Sequence, residues 1–239
     1  MTLPSKPLTS NCIMVGVVFI VLLLTMNGCS SNVPLGPDDA QFPATDGTIL
    51  RGHHYGNGDA TVVLAHMSDS DQDDWREFAV SLNGLGYAAF SFNFRGFKPS
   101  QGDKAEPLID RDLEGAIEYL ESRGVEKIVV VGSGMGGTVA IKVAAHRDIL
   151  GVVTISAPLE IDGLSAQEDV EFVSGAKLFL SSEGDKDAHR SAGTFYNAAK
   201  SPRLMETFSG SEHGTDLLYG QHAANIQQRI FDFLGVFAE

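Results

Sequence analysis

The strongest constraint on the fold is the run from Lys127 to Val131, rich in β-branched residues, which leads straight into Gly132-Ser133-Gly134-Met135-Gly136-Gly137. Such a run suits a strand buried on both faces, as in a parallel sheet. Residues 138–145 follow with alanines and helical apolar spacing, and the small Gly136 and Gly137 let that helix pack close to the strand. Strand, sharp glycine turn and returning helix together define one unit of an α/β sheet. A phosphate loop of the Walker kind needs G-K-[ST], and none follows. Gly132-x-Gly134-x-x-Gly137 does spell the dinucleotide pattern G-x-G-x-x-G, which asks for an acidic residue about 20 positions on. Val152, Val153 and Thr154 stand there, and the pattern lies mid-chain rather than at the start of a domain.

The same alternation runs through the chain from about Phe42. Residues 49–55 and 61–65 read as strands around the turn Gly56-Asn57-Gly58-Asp59. Residues 75–85 carry helical spacing (Trp75, Phe78, Ala79, Leu82, Leu85) and stop at Gly86. Strand 88–94, helix 108–122, strand 150–155, strand 177–181, helix 187–200, strand 203–208 and helix 217–234 complete the series. Alternation of this kind predicts a parallel sheet with helices on both faces and functional loops at the carboxyl ends of the strands.

Particular stretches then narrow the class. They are Asp46-Gly47 with Leu50, Val63-Leu64-Ala65-His66-Met67, Asp71 to Trp75, and Gly86-Tyr87 through Phe92-Asn93-Phe94-Arg95-Gly96-Phe97. Gly132 to Gly137 and Gly210-Ser211-Glu212-His213-Gly214-Thr215-Asp216-Leu217-Leu218 complete the set. In these the chain resembles the α/β-hydrolase family, in its small bacterial dienelactone-hydrolase-like or serine-esterase-like branch. Asn93 replaces the family's Asp, and Lys98 a glycine or similar residue. The resemblance implies an α/β-hydrolase fold over residues 42–239: a mostly parallel sheet with helices on both faces. Residues 158–175 are too short for a large cap domain.

The family's nucleophile elbow is G-x-S-x-G. Here the outer glycines are Gly132 and Gly136, so Gly134 stands at the nucleophile position and Ser133 comes one place early. The resemblance further implies His213 as the catalytic histidine and Asp185 as its acid, with Asp187 the second choice. The oxyanion hole would take the backbone N–H groups of Met135 and of the loop near Met67. A His–Asp pair that merely joins two loops is an equal structural alternative for His213 and Asp185. Two functions stay open. One is a pseudo-hydrolase that keeps a pocket for a small ester-like ligand. The other is an ester or acyl hydrolase of altered mechanism, using water activated by His213 and Asp185, or Ser133 as nucleophile. No cofactor is implied. Asp69, Asp71, Asp73 and Asp74 do not form a calcium loop, because the sixth and twelfth positions hold Asp74 and Val80 where Gly and Glu are needed.

Residues 1–28 differ in kind. Lys6 precedes the apolar run 13–24, which is shorter than the roughly 20 residues of a membrane span. The junction Gly28-Cys29-Ser30 resembles a bacterial lipobox, although Met26 and Asn27 depart from its usual residues. The resemblance implies a lipoprotein-type signal peptide over 1–28, an acylated Cys29 and a polar tether over 29–41. A plain cleaved signal and an uncleaved anchor are the alternatives. Cys12 would leave with the signal, so Cys29 would be the single remaining thiol. The expected location is the cell envelope, attached to the membrane by the lipid (the outer membrane, facing the periplasm, if Gram-negative). A formal charge of −14 argues against nucleic acid or an anionic lipid surface as partner. Mass spectrometry of the N-terminal peptide is expected to find a diacylated Cys29; an unmodified Cys29 or a retained 1–28 segment would refute this.

Overall fold

The computed structural model of the protein describes residues 1–2 and 35–238. Residues 3–34, which include most of the expected signal segment and Cys29, lie outside the described residues. Among the described residues, no helix is long and apolar enough to cross a membrane.

In chain order the elements are β1 (Asp39–Pro43), β2 (Ile49–Tyr55), β3 (Ala60–Ala65), α1 (Arg76–Gly84), β4 (Ala88–Asn93), α2 (Asp110–Ser122), β5 (Lys127–Ser133) and α3 (Met135–Ala144). They continue with β6 (Gly151–Ile155), β7 (Glu160–Ile161), β8 (Leu164–Ser165), β9 (Ala176–Ser182), α4 (Lys186–Ala198), β10 (Arg203–Phe208) and α5 (Ala223–Phe237). Eight strands form one sheet in the order β1-β2-β4-β3-β5-β6-β9-β10. Within this sheet β1, β2 and β4 pair antiparallel, and the remaining pairings, β4-β3-β5-β6-β9-β10, are all parallel.

Burial follows the strand period. Val62 and Leu64 of β3, with Val129 and Val131 of β5, face α1 and α5 through Phe78, Leu82, Ile230 and Phe233. Val63, Ala65 and Val130 face the opposite layer, where Leu113 and Ile117 of α2, Val139 of α3 and Phe195 of α4 pack. Both faces of the central strands are therefore apolar, as the β-branched run of β5 predicts.

Three features differ from the sequence reading. The expected tether over 29–41 ends in β1, so the sheet begins at Asp39 rather than at Phe42. Its alternating pattern buries only Ala40 and Phe42, as an edge strand can. The expected helix 108–122 starts at Asp110, after a 3₁₀ turn at Glu106–Leu108. The expected helix 217–234 is two pieces, a 3₁₀ turn at Gly214–Leu218 and then α5, with the chain turning at Gly220. Glycine there favours the break over a continuous helix. Between β6 and β9 lie only the β7–β8 hairpin and a 3₁₀ turn at Asp169–Phe172, so that connection holds no large cap domain.

A buried ion network ties the first hairpin to α2. Arg95 donates through Nε and Nη2 to Asp112 Oδ1 at 2.8 and 2.6 Å, and through its backbone N–H to Asp112 Oδ2 at 2.8 Å. Its Nη1 reaches Asp46 Oδ2 at 2.8 Å. Burial pushes the Asp112 carboxyl up, against the pull of the guanidinium. The Arg95 hydrogen bond holds Asp46 well below the usual carboxylate range. Removing one partner of such a pair strands a buried charge. Asp112→Ala is expected to lower unfolding free energy by about 3–5 kcal/mol in urea denaturation, and Asp46→Ala by less, because Asp112 still neutralises Arg95.

Candidate active site

β3 and β5 are neighbours, yet β4 lies on the far side of β3 and β6 on the far side of β5. Chain connections diverge there, leaving a crevice at the carboxyl ends where ligands of open α/β sheets bind. β5 ends at Ser133, Gly134 turns with φ 49° and ψ −118°, and α3 begins at Met135. That conformation is the first central position of a type II′ turn, where glycine is strongly preferred. Gly134 donates its N–H to Ile155 O at 2.8 Å, which fixes the turn against the end of β6. Gly136 is required for a different reason, since a Cβ there would overlap the Ala65 carbonyl of β3. A Cβ on Gly134 would stand 3.5 Å from His213 Nε2 and 2.9 Å from Met67 Cβ. Residues far apart in sequence thus meet at one point.

His213 and Asp185 are brought together by the parallel pair β9 and β10. Beyond the strands, Glu183 N–H donates to Phe208 O at 2.8 Å and Gly184 N–H to Gly210 O at 2.7 Å. Ser182 Oγ donates to Glu212 O at 2.6 Å, immediately before His213. Asp185 caps α4 by accepting the Ala188 N–H at 3.3 Å on Oδ1, leaving Oδ2 for His213 Nδ1 at 2.6 Å. A carboxylate in that position selects the tautomer with hydrogen on Nδ1 and leaves Nε2 as the basic nitrogen. The His213 side chain is half exposed, whereas Asp185 is largely covered. Asp187 is 93% exposed and pairs with Arg190 at 2.9 Å, so it is not the partner of His213.

The loop after β3 is set by His66, whose part the sequence alone did not reveal. Its ring is fully buried; Nδ1 donates to Met67 O at 2.7 Å and Nε2 accepts the Phe94 N–H at 3.1 Å. Only the neutral ring can do both. Burial accordingly holds its pKa down to about 4. Asn93 continues the brace, accepting the Gln72 N–H at 2.8 Å and donating to Lys98 O at 2.9 Å. An aspartate could not make the second bond while ionised, which accounts for an amide at this position. Asp71 accepts the Asp73 N–H at 2.8 Å, and Asp73 pairs with Arg76, so this acidic cluster serves the helix start before α1.

A cavity of about 160 Å³ opens between these elements, lined in part by Met67, Gly134, Met135, Ser156, Asp185 and His213. Ser156 follows β6 with φ 54°, an unusual conformation for a side-chain-bearing residue. Ser133 does not line the cavity. It is fully buried, and its Oγ has no hydrogen-bond partner among the described residues. A Cβ on Gly214 would lie 2.7 Å from that Oγ, so Ser133 is closed in against the backbone after His213. A larger hollow of about 470 Å³ nearby is lined by Asp69, Asp71, Asp74, Lys98 and Lys104, without an imidazole.

This sheet order and the site at its carboxyl edge define a hydrolase-type α/β protein. The chain belongs to the alpha/beta hydrolase fold family, whose description it matches over residues 53–212. An uncharacterized protein of Mycobacterium tuberculosis is 29% identical over 125 residues, 49% of this chain and 44% of that protein. The chain therefore spans less than half the length of the first relatives it matches. Protein YfhR of Escherichia coli K12 is 22% identical over 233 residues, 84% of this chain and 81% of its own length. Among solved structures, the Pyrococcus furiosus esterase Pf2001 superimposes with a TM-score of 0.73 at 17% identity, covering 84% of this chain and 92% of that one. At that identity the likeness is one of fold.

The depressed His66 pKa has a signed consequence. Between the ordinary value of 6.5 and about 4, the unfolded chain takes up a proton that the folded chain refuses. This contribution is complete above pH 6.5, and stability falls as pH drops through that window, by about 3 kcal/mol in full. His66→Gln should lower stability at pH 7 and flatten the slope between pH 6.5 and 4. Urea denaturation across that range measures both, and an unchanged slope would contradict the assignment.

Proposed function

We propose that the protein is a pseudo-hydrolase: an α/β-hydrolase-fold protein that keeps a ligand cavity and lacks the serine nucleophile. Gly134 is the seat of the missing nucleophile. The observation that carries this reading is the direction of its absent side chain, whose Cβ would face His213 Nε2 at 3.5 Å. A hydroxyl carried on that Cβ would be within reach of an oriented base. Ser133 is a poor substitute, because its Oγ is buried away from the cavity.

The remaining parts favour binding of a small ester-like or carbonyl ligand. Met135 is the first residue of α3, so its N–H has no acceptor within the helix and is available to an oxygen atom. The positive end of α3 adds to that preference. The Met67 amide, in the loop fixed by His66, would supply the second donor of an oxyanion-type site. His213 Nε2 would accept a hydrogen bond from the ligand, with Asp185 holding the ring. Replacing a serine by glycine also relieves the backbone strain of the elbow, on the order of 1–3 kcal/mol. The protein is further proposed to be exported and held at the membrane by acylated Cys29, on the grounds of the apolar run 13–24 and Gly28-Cys29-Ser30.

A second reading rests on the intact His213–Asp185 pair at 2.6 Å. General-base activation of water by His213 would hydrolyse an ester without a covalent intermediate, forgoing the division into two easier steps. Two measurements separate the readings. Intact mass after fluorophosphonate treatment is expected to be unchanged, and p-nitrophenyl butyrate hydrolysis to be equal for the wild type and His213→Ala. A drop of tenfold or more in His213→Ala would favour the water mechanism, and an adduct on Ser133 would overturn the assignment of Gly134.

A further inference from the structure

We infer that Met67 and Gly134 form a steric lock, in which Met67 occupies space that any side chain at residue 134 would need. The consequence is that a serine cannot be restored there by one substitution. This deepens the proposed function, and its activity arm rests on Gly134 being the nucleophile seat. The steric arm does not.

The contact involves the wrong atoms to be relieved by a rotamer change. A Cβ on Gly134 would stand 2.9 Å from Met67 Cβ and 3.8 Å from Met67 Cα. Two carbons meet favourably at about 3.5–4.0 Å. A methionine adapts by turning its distal bonds, but its Cβ moves only with the backbone. That backbone is held on both sides. The Met67 carbonyl accepts the buried His66 ring at 2.7 Å, and the ring is anchored through Phe94. β3 and β5 are registered up to Ala65 against Gly132, so the loop after β3 and the turn after β5 leave the sheet side by side. The rest of Met67 is also enclosed. The residue is 7% exposed, Thr215 Oγ1 lies 3.9 Å from its Sδ, and the same sulfur borders the space above Gly214. Met67 therefore cannot swing clear without disturbing the segment after His213.

Two separate obstacles face a side chain at residue 134: a positive φ of 49° and the Met67 Cβ. Met67→Gly removes only the second. The lock thus predicts a specific non-additivity. The wild type, Gly134→Ser, Met67→Gly and the double variant should be compared by calorimetry and by fluorophosphonate labelling. Each single substitution should lower Tm, the first by crowding and strain, the second by lost packing. The double variant should melt at least about 3 °C above the sum of the single shifts, because neighbours in contact couple. Gly134→Ser alone should label slowly or not at all, and the double variant at least tenfold faster. In that reaction the serine oxygen bonds phosphorus, fluoride leaves, and the hydroxyl proton passes to His213 Nε2, so adding His213→Ala should abolish it. If Gly134→Ser is too unstable to purify, Gly134→Ala with Met67→Gly provides the same Tm cycle. Additive Tm shifts, or measurable labelling at equal rates in the single and double variants, would overturn the lock. Coupled Tm shifts with no labelling of the double variant would uphold the lock and count instead against Gly134 as the nucleophile seat.

Discussion

The close approach of α3 to β3, across the end of β5, is the constraint on which the site depends. It exists because Gly136 has no side chain to meet the Ala65 carbonyl. Once α3 is that close, its first residue, Met135, must lie at the carboxyl edge of the sheet, where it lines the cavity. The single residue joining β5 to α3 then has to turn sharply, and Gly134 adopts a conformation that glycine tolerates and most residues resist. An added methyl at Gly136 would push α3 outward and carry the positive end of the helix with it.

Around this junction, polar groups fix the loops that an open sheet edge leaves free. His66 links the loop after β3 to Phe94, Asn93 links it to Lys98, and Arg95 binds the same segment to Asp112 and Asp46. On the other side, Ser182 and the backbones of Glu183 and Gly184 hold the His213 loop to the Asp185 turn. Each bond is short and the central members are buried, so these networks position the site as much as they stabilise the fold. The neutral state of His66 belongs to this design, since protonation would remove the acceptor of the Phe94 N–H.

The functional reading follows from an imbalance among these parts. An imidazole held by a carboxylate, an amide at a helix start and a small cavity are all in place, while the residue facing the imidazole has no side chain. On the proposed reading, glycine in place of a serine removes covalent chemistry and leaves backbone donors untouched. Met67 reaches into the same region, and the space is accordingly shared rather than vacant. Binding is the activity proposed for this site, because it needs oriented donors and an acceptor but no nucleophile.

What could be read in the sequence was what local pattern controls. The β-branched run before Gly132 defined a strand buried on both faces, the alternation along the chain defined the sheet, and the resemblance to the hydrolase family singled out His213 and Asp185, which do meet at 2.6 Å. Strand β1 escaped notice because an edge strand buries only alternate residues, here Ala40 and Phe42, within an otherwise polar stretch. The break at Gly220 was hidden because Leu217, Leu218, Ile226 and Ile230 keep an apolar rhythm across it. The choice of Asp185 over Asp187 was open in the sequence, and only the turn after β9 directs one carboxylate at the ring and the other into solvent. The brace made by the His66 ring and the packing of Met67 against Gly134 had no local signal. They arise where β3, β5 and the loop after β10 converge, and contacts among residues 66, 94, 134 and 213 exist only once the sheet has brought those segments together.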